Sequence, residues 1–250
     1  QYDEAMHLPS SGGAIVPGGH AMPEAADGAQ RKVWAIVGNI MGAADGASED
    51  PPPRGGVLGA GGVVEHLLMK KCLGKGSFGT VYAGRCQHTN QNVAVKLIQR
   101  DPIQPLPLHV HQEIEALHAL QHPCIVKLIS VVVTNFNVQL YLQLFEMDLH
   151  RLLQGPPMVE AHAKQVATMV LQGLAHMHSN GFVHRDLKPA NILVDHHPLL
   201  VAISDLGSAL HVANLPSSYD VVTTMPYRAP DSLLGSSYKK PCDIWSVGLI

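Results

Sequence analysis

The segment from His184 to Asn191, HRDLKPAN in one-letter code, contains three side chains whose types and spacing allow chemistry. Asp186 can accept a proton as a general base, Lys188 can neutralise negative charge, and the side-chain oxygen of Asn191 can bind a divalent cation. If this segment were a charged surface loop without a function, nothing would explain why Asp, Lys and Asn stand at positions n, n+2 and n+5. We therefore predict that this segment is a catalytic loop.

A further acidic position follows in the chain. Asp205 lies nineteen residues after Asp186 and is followed by Leu206 and Gly207. By itself an Asp-x-Gly sequence is typical of an ordinary turn. In this register, after a catalytic loop that ends in Asn191, the carboxylate of Asp205 is a candidate second ligand for the same cation, because Mg²⁺ prefers oxygen ligands.

The apolar run from Val93 to Lys96, VAVK, ends in a single ammonium group. Such a lysine is usually a surface residue whose alkyl stem lies on apolar neighbours. The alternative is a buried lysine that binds the phosphates of a nucleotide, and this role requires a carboxylate to orient the lysine. Glu113 and Glu115 are the two candidates for that carboxylate, beside a helical apolar stripe.

A glycine-rich segment with GxGxxG spacing precedes this run, and it consists of Gly74, Lys75, Gly76, Ser77, Phe78 and Gly79. Glycines allow backbone N–H groups to approach phosphate oxygens closely. In a dinucleotide-binding fold a helix would follow, with an acidic residue about 20 positions later. Here residues 80–84 have a strand pattern, and no acid occurs from Thr80 to Arg100. The P-loop pattern GxxxxGK[ST] is absent, so we predict a flap between two strands over a nucleotide.

In order and in spacing, these motifs resemble those of the eukaryotic protein kinase family. The resemblance covers about residues 65–250. It continues with Tyr227 to Asp231, YRAPD, which is similar to the family's APE segment, and with Asp243 to Gly248, DIWSVG, which is similar to the start of its long central helix. The resemblance implies transfer of the γ-phosphoryl group of ATP to a protein hydroxyl, with ATP and Mg²⁺ as cofactors.

The resemblance also implies roles for individual residues. The implied catalytic set is Lys96, Glu113, Asp186 and Lys188, with Glu113 preferred to Glu115 because it lies ten residues before Pro123, as in the family. The implied magnesium ligands are Asn191 and Asp205. The implied nucleotide contacts are the glycine-rich segment, Lys96, then Val81, Ala94 and Leu193 around the adenine ring, and Glu146 and Met147 in the hinge.

The family further implies an internal packing pattern. Leu117, Leu128, His184 and Leu206 would stack as the regulatory spine, with Leu206 in place of the usual Phe. Asp243 would brace the backbone of the catalytic loop. The gatekeeper position is either Leu144 or Phe145, and the hinge is about two residues shorter than in MAP kinases.

Finer features concern the subfamily. Lys188 within HRDLKP is similar to Ser/Thr kinases, and the segment around Arg228 resembles the cyclin-dependent and MAP kinase (CMGC) branch, in which this arginine shapes a pocket for a proline after the acceptor residue. Pro226 stands where a Trp is common and leaves that preference open. Thr224 is expected to contact Asp186 and Lys188. Cyclin dependence is not supported, because no PSTAIRE-like sequence precedes Glu113.

The elements that must position these residues follow from the hydrophobic pattern. Strand patterns cover 66–73, 80–87, 93–99, 125–133 and 138–145, and a helical stripe of Val110, Ile114, Leu117 and Leu120 lies between the third and the fourth. After Asp148 the pattern becomes helical, with Val159, Val166, Val170 and Met177 on one face and a stop at residues 179–181. We predict an α+β, bilobal, protein-kinase-like fold. It has a small lobe of five antiparallel strands and one helix (64–147) and an incomplete, mainly helical large lobe (148–250).

Residues 1–63 differ from the rest, because Gly, Ala and Pro make up 30 of them. We expect disorder there, since such a segment buries too little apolar surface to offset its ordering entropy.

The net charge of −3 argues against nucleic-acid binding, and no apolar run approaches the length of a membrane span. The four cysteines form no CxxC pair and are expected to be free thiols, in the cytoplasm or the nucleus.

Three hypotheses follow from the sequence. The first is a Ser/Thr protein kinase in intracellular signalling that acts on Ser or Thr of protein substrates, and it is favoured because every implied catalytic position is occupied. The others are a catalytically inactive scaffold and a truncated gene copy without function. The kinase pattern stops at Ile250, inside the central helix, so we expect the large lobe to be truncated there and this fragment alone to have little activity.

Overall fold

A computed structural model describes residues 67–76, 79–86, 91–215, 224–234 and 239–250. Within these ranges the side chains of residues 67–70 and of Cys86 are not described. The predictions made for residues 1–63, Ser77 and Phe78 therefore lie outside the described residues.

Five antiparallel strands form one sheet, in the order β1-β2-β3-β5-β4. The strands are β1 (Leu67–Gly76), β2 (Gly79–Cys86), β3 (Asn92–Gln99), β4 (Leu128–Val133) and β5 (Asn137–Gln143). Strands β3 and β4 are rich in β-branched residues, which pack well on a pleated, half-buried surface. The predicted number and antiparallel character of these strands are confirmed, and the order of the strands in the sheet is a finding of the structure.

Helix α1 (Leu108–Ala119) connects β3 to β4. Its predicted stripe of Val110, Ile114 and Leu117 is fully buried, and Leu120 is buried at the C-terminal cap. One buried residue of this helix is charged, namely Glu113, which is 1% exposed. A buried carboxylate needs a partner, and that partner is described with the site.

Several strand boundaries differ from the prediction, two of them by three residues. The turn expected over residues 74–79 is shorter, because β1 continues through Gly76 and pairs with Gly79, the first residue of β2. Strand β4 begins at Leu128 instead of residue 125, since Ile125 forms an isolated parallel bridge with Ile203. Both boundaries are set by backbone pairing with another segment. The local hydrophobic pattern does not reveal such pairing.

The second part of the chain is mainly helical and carries two small sheets. Its helices are α2 (Leu149–Leu153), α3 (Glu160–Ser179), α4 (Pro230–Leu233) and α5 (Lys240–Gly248). Its strands are β6 (Met147–Asp148), β7 (Phe182–Val183), β8 (Ile192–His196), β9 (Leu199–Ile203) and β10 (Leu210–His211). Strands β6, β8 and β9 form one sheet, and β7 pairs with β10. The predicted boundary after residue 147 falls within β6.

Helix α3 buries Val166, Val170, Leu174 and Met177, as the helical pattern predicted for three of these. Val159 does not belong to that buried face, because it is the N-cap residue and 61% exposed. The helix ends before Gly181, whose φ of 80° suits a glycine after a helix C-terminus. None of the helices in the described part of the chain is long and apolar enough to span a bilayer.

One continuous apolar core joins the two parts. It contains Leu140 of β5, Ile114 of α1, Leu174 of α3 and Ile203 of β9, each at most 1% exposed. The functional groups described next lie at the ends of the strands and helices that this core holds in place.

Candidate active site

Lys96 on β3 is buried, with its ammonium group between two carboxylates. Its Nζ lies 2.6 Å from Glu113 Oε1 on α1 and 2.7 Å from Asp205 Oδ1 in the loop after β9. The pairing of Lys96 with Glu113 rather than Glu115 is confirmed. The same lysine therefore connects the five-stranded sheet, the helix packed on it and the second part of the chain.

These contacts set the charge states of the three groups. Burial would lower the pKa of Lys96, but Glu113 and Asp205 outweigh burial and raise that pKa above its ordinary value. Burial would raise the pKa of Asp205, but Lys96 outweighs burial and lowers that pKa. Burial raises the pKa of Glu113, and Lys96 opposes the rise. Because the lysine remains cationic and Asp205 anionic, the site carries the charges needed to bind phosphates and a cation.

The carboxylate of Asp186 is fixed by side chains from its own loop and from a segment nearly forty residues later. Lys188 Nζ donates to Oδ2 at 2.7 Å, and Thr224 donates to Oδ1 through its backbone N–H at 2.9 Å and its hydroxyl at 2.7 Å. Lys188 also donates to Thr224 Oγ1 at 3.0 Å. The predicted contacts of Thr224 with Asp186 and Lys188 are confirmed.

Asn191 closes the same loop. Its side-chain Nδ2 donates to the backbone oxygen of Asp186 at 2.8 Å, and its backbone oxygen accepts from the Ser204 N–H at 2.9 Å. The amide nitrogen is thus used inside the loop, so Oδ1 is the side-chain atom that can bind a cation. Ser204 directly precedes Asp205, which brings the two predicted metal ligands into one neighbourhood.

Asp243 on α5 holds the start of the catalytic loop from behind. Its Oδ2 accepts from the His184 N–H and its Oδ1 from the Arg185 N–H, both at 2.9 Å. The predicted brace is therefore confirmed. Sequence reasoning missed a third donor, His178 on α3, whose Nε2 donates to Asp243 Oδ2 at 2.8 Å. No sequence signal distinguished His178 among sixteen histidines.

The ring of His184 is buried and takes part in the same framework. Its Nδ1 accepts from the Asp186 N–H at 3.2 Å, and its Nε2 faces the Ser204 backbone oxygen at 3.0 Å. Because a carbonyl oxygen can only accept, Nε2 carries the proton. The ring therefore links the loop of Asp186 to the segment that leads into Asp205.

Two non-glycine residues of the site have left-handed backbone, namely Arg185 with φ 70° and Asp205 with φ 56°. Such conformations cost roughly 1–3 kcal/mol each and persist only where their surroundings impose them. Asp243 holds the Arg185 N–H, and Arg185 Nε donates to the Ser208 backbone oxygen at 2.7 Å. Lys96 holds the carboxylate of Asp205. Arg185 directly precedes the predicted catalytic base Asp186, and Asp205 is itself a predicted metal ligand.

The three glycines of the β1–β2 hairpin differ in whether the fold requires glycine at their positions. Gly79 has φ 149°, and a Cβ there would lie 2.5 Å from the Leu97 backbone oxygen. A Cβ on Gly74 would meet no atom within 4 Å, and one on Gly76 would meet only the Gly79 oxygen at 3.8 Å. The fold thus requires glycine at 79, whereas the described packing leaves room for a side chain at 74 and 76. Lys75 between them is exposed.

The predicted adenine and spine residues contribute to one apolar cluster. Ala94, Val81 and Leu193 all pack into or against it. The cluster also contains three of the predicted spine residues, Leu117, Leu128 and Leu206, and the fourth, His184, is fully buried. Both gatekeeper candidates, Leu144 and Phe145, contact this cluster, so that choice stays open.

The connecting segment, residues 144–148 between β5 and α2, makes contacts that sequence reasoning missed. The backbone N–H of Glu146 donates to Asp195 Oδ1 at 2.7 Å, and Glu146 Oε2 lies 3.0 Å from His196 Nδ1. Met147 pairs with Val194 in the ladder between β6 and β8. The amide of Glu146 is therefore already engaged within the protein, and the nucleotide contacts of Glu146 and Met147 stay predictions.

Comparison with protein families matches residues 67–250 to the family described as protein kinase domain. This match covers nearly three quarters of the chain. The chain belongs to the protein kinase family.

Curated relatives of this protein kinase domain are named Ser/Thr kinases and cyclin-dependent kinases. Cyclin-dependent kinase F-3 of Oryza sativa subsp. japonica is 38% identical over 190 residues, which are 75% of this chain and 43% of that protein. Serine/threonine-protein kinase PLK4 of Drosophila ananassae is 34% identical over 75% of this chain and 25% of its own length. Serine/threonine-protein kinase ICK of Mus musculus is 36% identical over 72% of this chain and 29% of its own length. The chain spans less than half the length of each.

Proposed function

We propose that the protein transfers the γ-phosphoryl group of Mg-ATP to Ser or Thr hydroxyls of protein substrates. The observation that carries this proposal is the position of Lys96, which is buried and bound by Glu113 on one side and Asp205 on the other. A buried lysine of this kind places a fixed positive charge beside a carboxylate that can bind Mg²⁺. That combination suits the phosphates of ATP.

The hairpin glycines support a nucleotide in this cleft. The protein's own packing does not require Gly74 or Gly76, because the space around their α-carbons is open. Backbone that lacks side chains can approach phosphate oxygens closely, and its N–H groups can then donate to them. The segment from Gly74 to Gly79 would cover the phosphates, and Val81, Ala94 and Leu193 would enclose the adenine ring.

Asp205 and Asn191 would hold the magnesium ion. A carboxylate and an amide oxygen are ligands that Mg²⁺ accepts, and this ion commonly takes only one or two protein ligands beside substrate phosphates. When bound, the ion supplies positive charge to the phosphate oxygens during transfer.

The remaining groups would act on the acceptor side. Asp186 would accept the proton of the substrate hydroxyl, and its carboxylate is held in place by Lys188 and Thr224. Lys188, 2.7 Å from Asp186, would place its charge next to the transferred phosphoryl group. Phosphoryl transfer depends mainly on positioning and on charge stabilisation, and these residues supply both.

The proposed acceptors are Ser and Thr, with a preference for a following proline as a finer hypothesis. The names of the relatives and Lys188 in the catalytic loop support the first part. Arg228 supports the second, because it matches the arginine that shapes the proline pocket in the CMGC branch. A peptide-library assay tests both parts: mainly Tyr acceptors would overturn the first, and indifference to the next residue would overturn only the second.

We further propose protein substrates as the partners and the cytoplasm or nucleus as the location. The three cysteines whose side chains are described, Cys72, Cys124 and Cys242, are free thiols, which suits a reducing compartment. Fractionation of cells that express the tagged full-length protein tests the location. Recovery in a secreted fraction would contradict it.

The enzymatic proposal is tested by radiolabel transfer from γ-labelled ATP with the full-length protein. Asp186→Asn and Lys96→Met should each lower turnover by about 10²–10⁴-fold, because each removes a group that acts on the reacting atoms. Glu160→Gln is the matched control, since this carboxylate lies on α3 in an exposed ion pair with Lys164, with an 81% exposed side chain. Turnover of Lys96→Met equal to the wild type would overturn the assignment.

A further inference from the structure

A reciprocal pair of contacts joins the lobe-connecting segment to β8. The Glu146 backbone N–H donates to the carboxylate of Asp195 at 2.7 Å. In return, the Glu146 carboxylate faces the next residue, His196, with Oε2 3.0 Å from the ring Nδ1 and 3.4 Å from the backbone nitrogen. Each segment thus supplies a carboxylate to a backbone N–H of the other.

These contacts extend the antiparallel ladder between β6 and β8. In that ladder Met147 lies opposite Val194 and Asp148 opposite Leu193. One step further, Glu146 falls opposite Asp195, and there a side-chain carboxylate takes the place of the backbone acceptor. Residues 146–148 of the connecting segment are therefore fixed to one strand.

Strand β8 links this contact to the nucleotide site. It begins at Ile192, directly after the predicted metal ligand Asn191, and it carries Leu193, the predicted adenine contact. A shift of the connecting segment relative to β8 would change the distance between the adenine contacts on the two elements. The chain's own hydrogen bonds prevent that shift.

The two halves of the pair differ in expected strength. A backbone N–H that donates to a carboxylate is charge-assisted and holds one geometry. The Glu146–His196 pair has side chains 52% and 36% exposed, and exposed ion pairs contribute little. Both contacts are exposed to solvent, and the donation to Asp195 is the shorter of the two at 2.7 Å, so it is the part that fixes the segment.

We propose that Asp195 is a positioning residue for the nucleotide, assisted by His196: it fixes the connecting segment through Glu146 and thereby sets nucleotide affinity, with little effect on the transfer step. This inference rests on the proposed ATP-dependent activity. If the connecting segment binds adenine, its donors must come from residues other than Glu146, because the Glu146 N–H is used by Asp195.

The test is the affinity of the full-length protein for Mg-ADP by calorimetry, together with KM for ATP and kcat. Asp195→Ala should weaken Mg-ADP binding and raise KM by about tenfold, as expected for loss of a hydrogen bond to a charged group, with kcat changed less than about twofold. Asp195→Asn keeps an acceptor oxygen and should restore most of the affinity. Glu160→Gln is the control, because this carboxylate lies on α3 in an exposed ion pair with Lys164, away from the connecting segment.

The outcomes separate the two proposals. Wild-type affinity in Asp195→Ala, or a loss of kcat at unchanged KM, would overturn the positioning role while the kinase assignment stands. An equal loss in Asp195→Asn and Asp195→Ala would also overturn it, because the acceptor oxygen would then not matter. A wild-type protein that binds no Mg-ADP would overturn the proposed function, and this inference with it.

Discussion

The carboxylate of Asp186 is saturated by the protein's own donors. Oδ1 accepts two hydrogen bonds from Thr224, and Oδ2 accepts from Lys188 and, at 3.4 Å, from Asn191. An ionised carboxylate has about four acceptor sites, so a substrate hydroxyl has to replace one of these donors. Two of these donors are neutral side chains, and the Asn191 amide is held by the Asp186 backbone oxygen at 2.8 Å. The Thr224 hydroxyl is therefore the one that can rotate away, and we expect the acceptor to take its position.

A second prediction at this scale concerns Cys242. Burial raises the pKa of this thiol to about 12, and the neighbouring Asp243 adds to the rise. Because the thiolate is the reactive form, iodoacetamide should alkylate Cys242 in the folded protein at pH 8 at least about a hundredfold more slowly than an ordinary cysteine. Peptide-resolved mass spectrometry of a labelling time course measures this rate.

Cys72 is the internal reference for that experiment, because it is exposed on β1. Cys242 should reach its reactivity only after unfolding in urea. Equal labelling of both cysteines in the folded protein would contradict the environment described for Cys242.

Individual residues also show which contacts a sequence can reveal. Glu113 could be predicted, because it lies beside a helical stripe and at a spacing that the kinase motifs fix. Asp195 could not, because its contact with Glu146 depends on how β6 pairs with β8 across 49 residues. Local patterns specify which side chains a helix or strand buries, but they do not specify the register between distant strands.

At the scale of elements, we expect the glycines of the β1–β2 hairpin to have separate roles: Gly79 in stability and Gly74 in nucleotide binding. Gly79→Ala should lower the free energy of unfolding by about 1–3 kcal/mol, because φ is 149° and the added Cβ would lie 2.5 Å from the Leu97 oxygen. Gly74→Ala should change stability by less than about 0.5 kcal/mol, since nothing lies within 4 Å of the added group. It should nevertheless weaken Mg-ADP binding.

Urea unfolding and calorimetry on the same two variants measure these effects. Each variant serves as the control of the other, because both add one methyl group to the same hairpin. If Gly74→Ala lost as much stability as Gly79→Ala, this result would contradict the open space that surrounds Gly74 in the structure.

The five-stranded sheet was predictable because its strands alternate with turn residues and its helix has a 3.6-residue stripe. The boundaries were less predictable, as Ile125 shows. It continues the apolar run of β4 in sequence but pairs with Ile203 in the second part of the chain. A buried apolar run fits either partner, and only the assembled core decides between them.

At the scale of the whole molecule, the ion pair between Lys96 and Asp205 connects the two parts of the chain, and it makes stability depend on pH. The pKa of Asp205 is lower in the folded state than in the unfolded state, where it is about 3.9. Its carboxylate therefore stabilises the fold above that value, and the contribution is lost as the pH falls through the lower, folded pKa. Asp205→Asn should destabilise the protein at pH 6, and its difference from the wild type should shrink towards pH 3.

Urea unfolding at a series of pH values measures this difference. Glu160→Gln is again the control, because its exposed ion pair with Lys164 should contribute little at any pH. A gap between Asp205→Asn and the wild type that stayed constant from pH 6 to pH 3 would show that the carboxylate charge does not stabilise the fold.

The brace from Asp243 also determines when, during synthesis, the catalytic loop can become ordered. His184 and Arg185 precede this aspartate by 59 and 58 residues. At roughly 5–20 residues per second, a ribosome needs about 3–12 s to add that much chain. During this interval the left-handed Arg185 lacks the carboxylate that holds its backbone N–H. A nascent chain can therefore form its five-stranded sheet before it can align Asp186, so the proposed phosphate transfer would become possible only after the proposed binding of ATP.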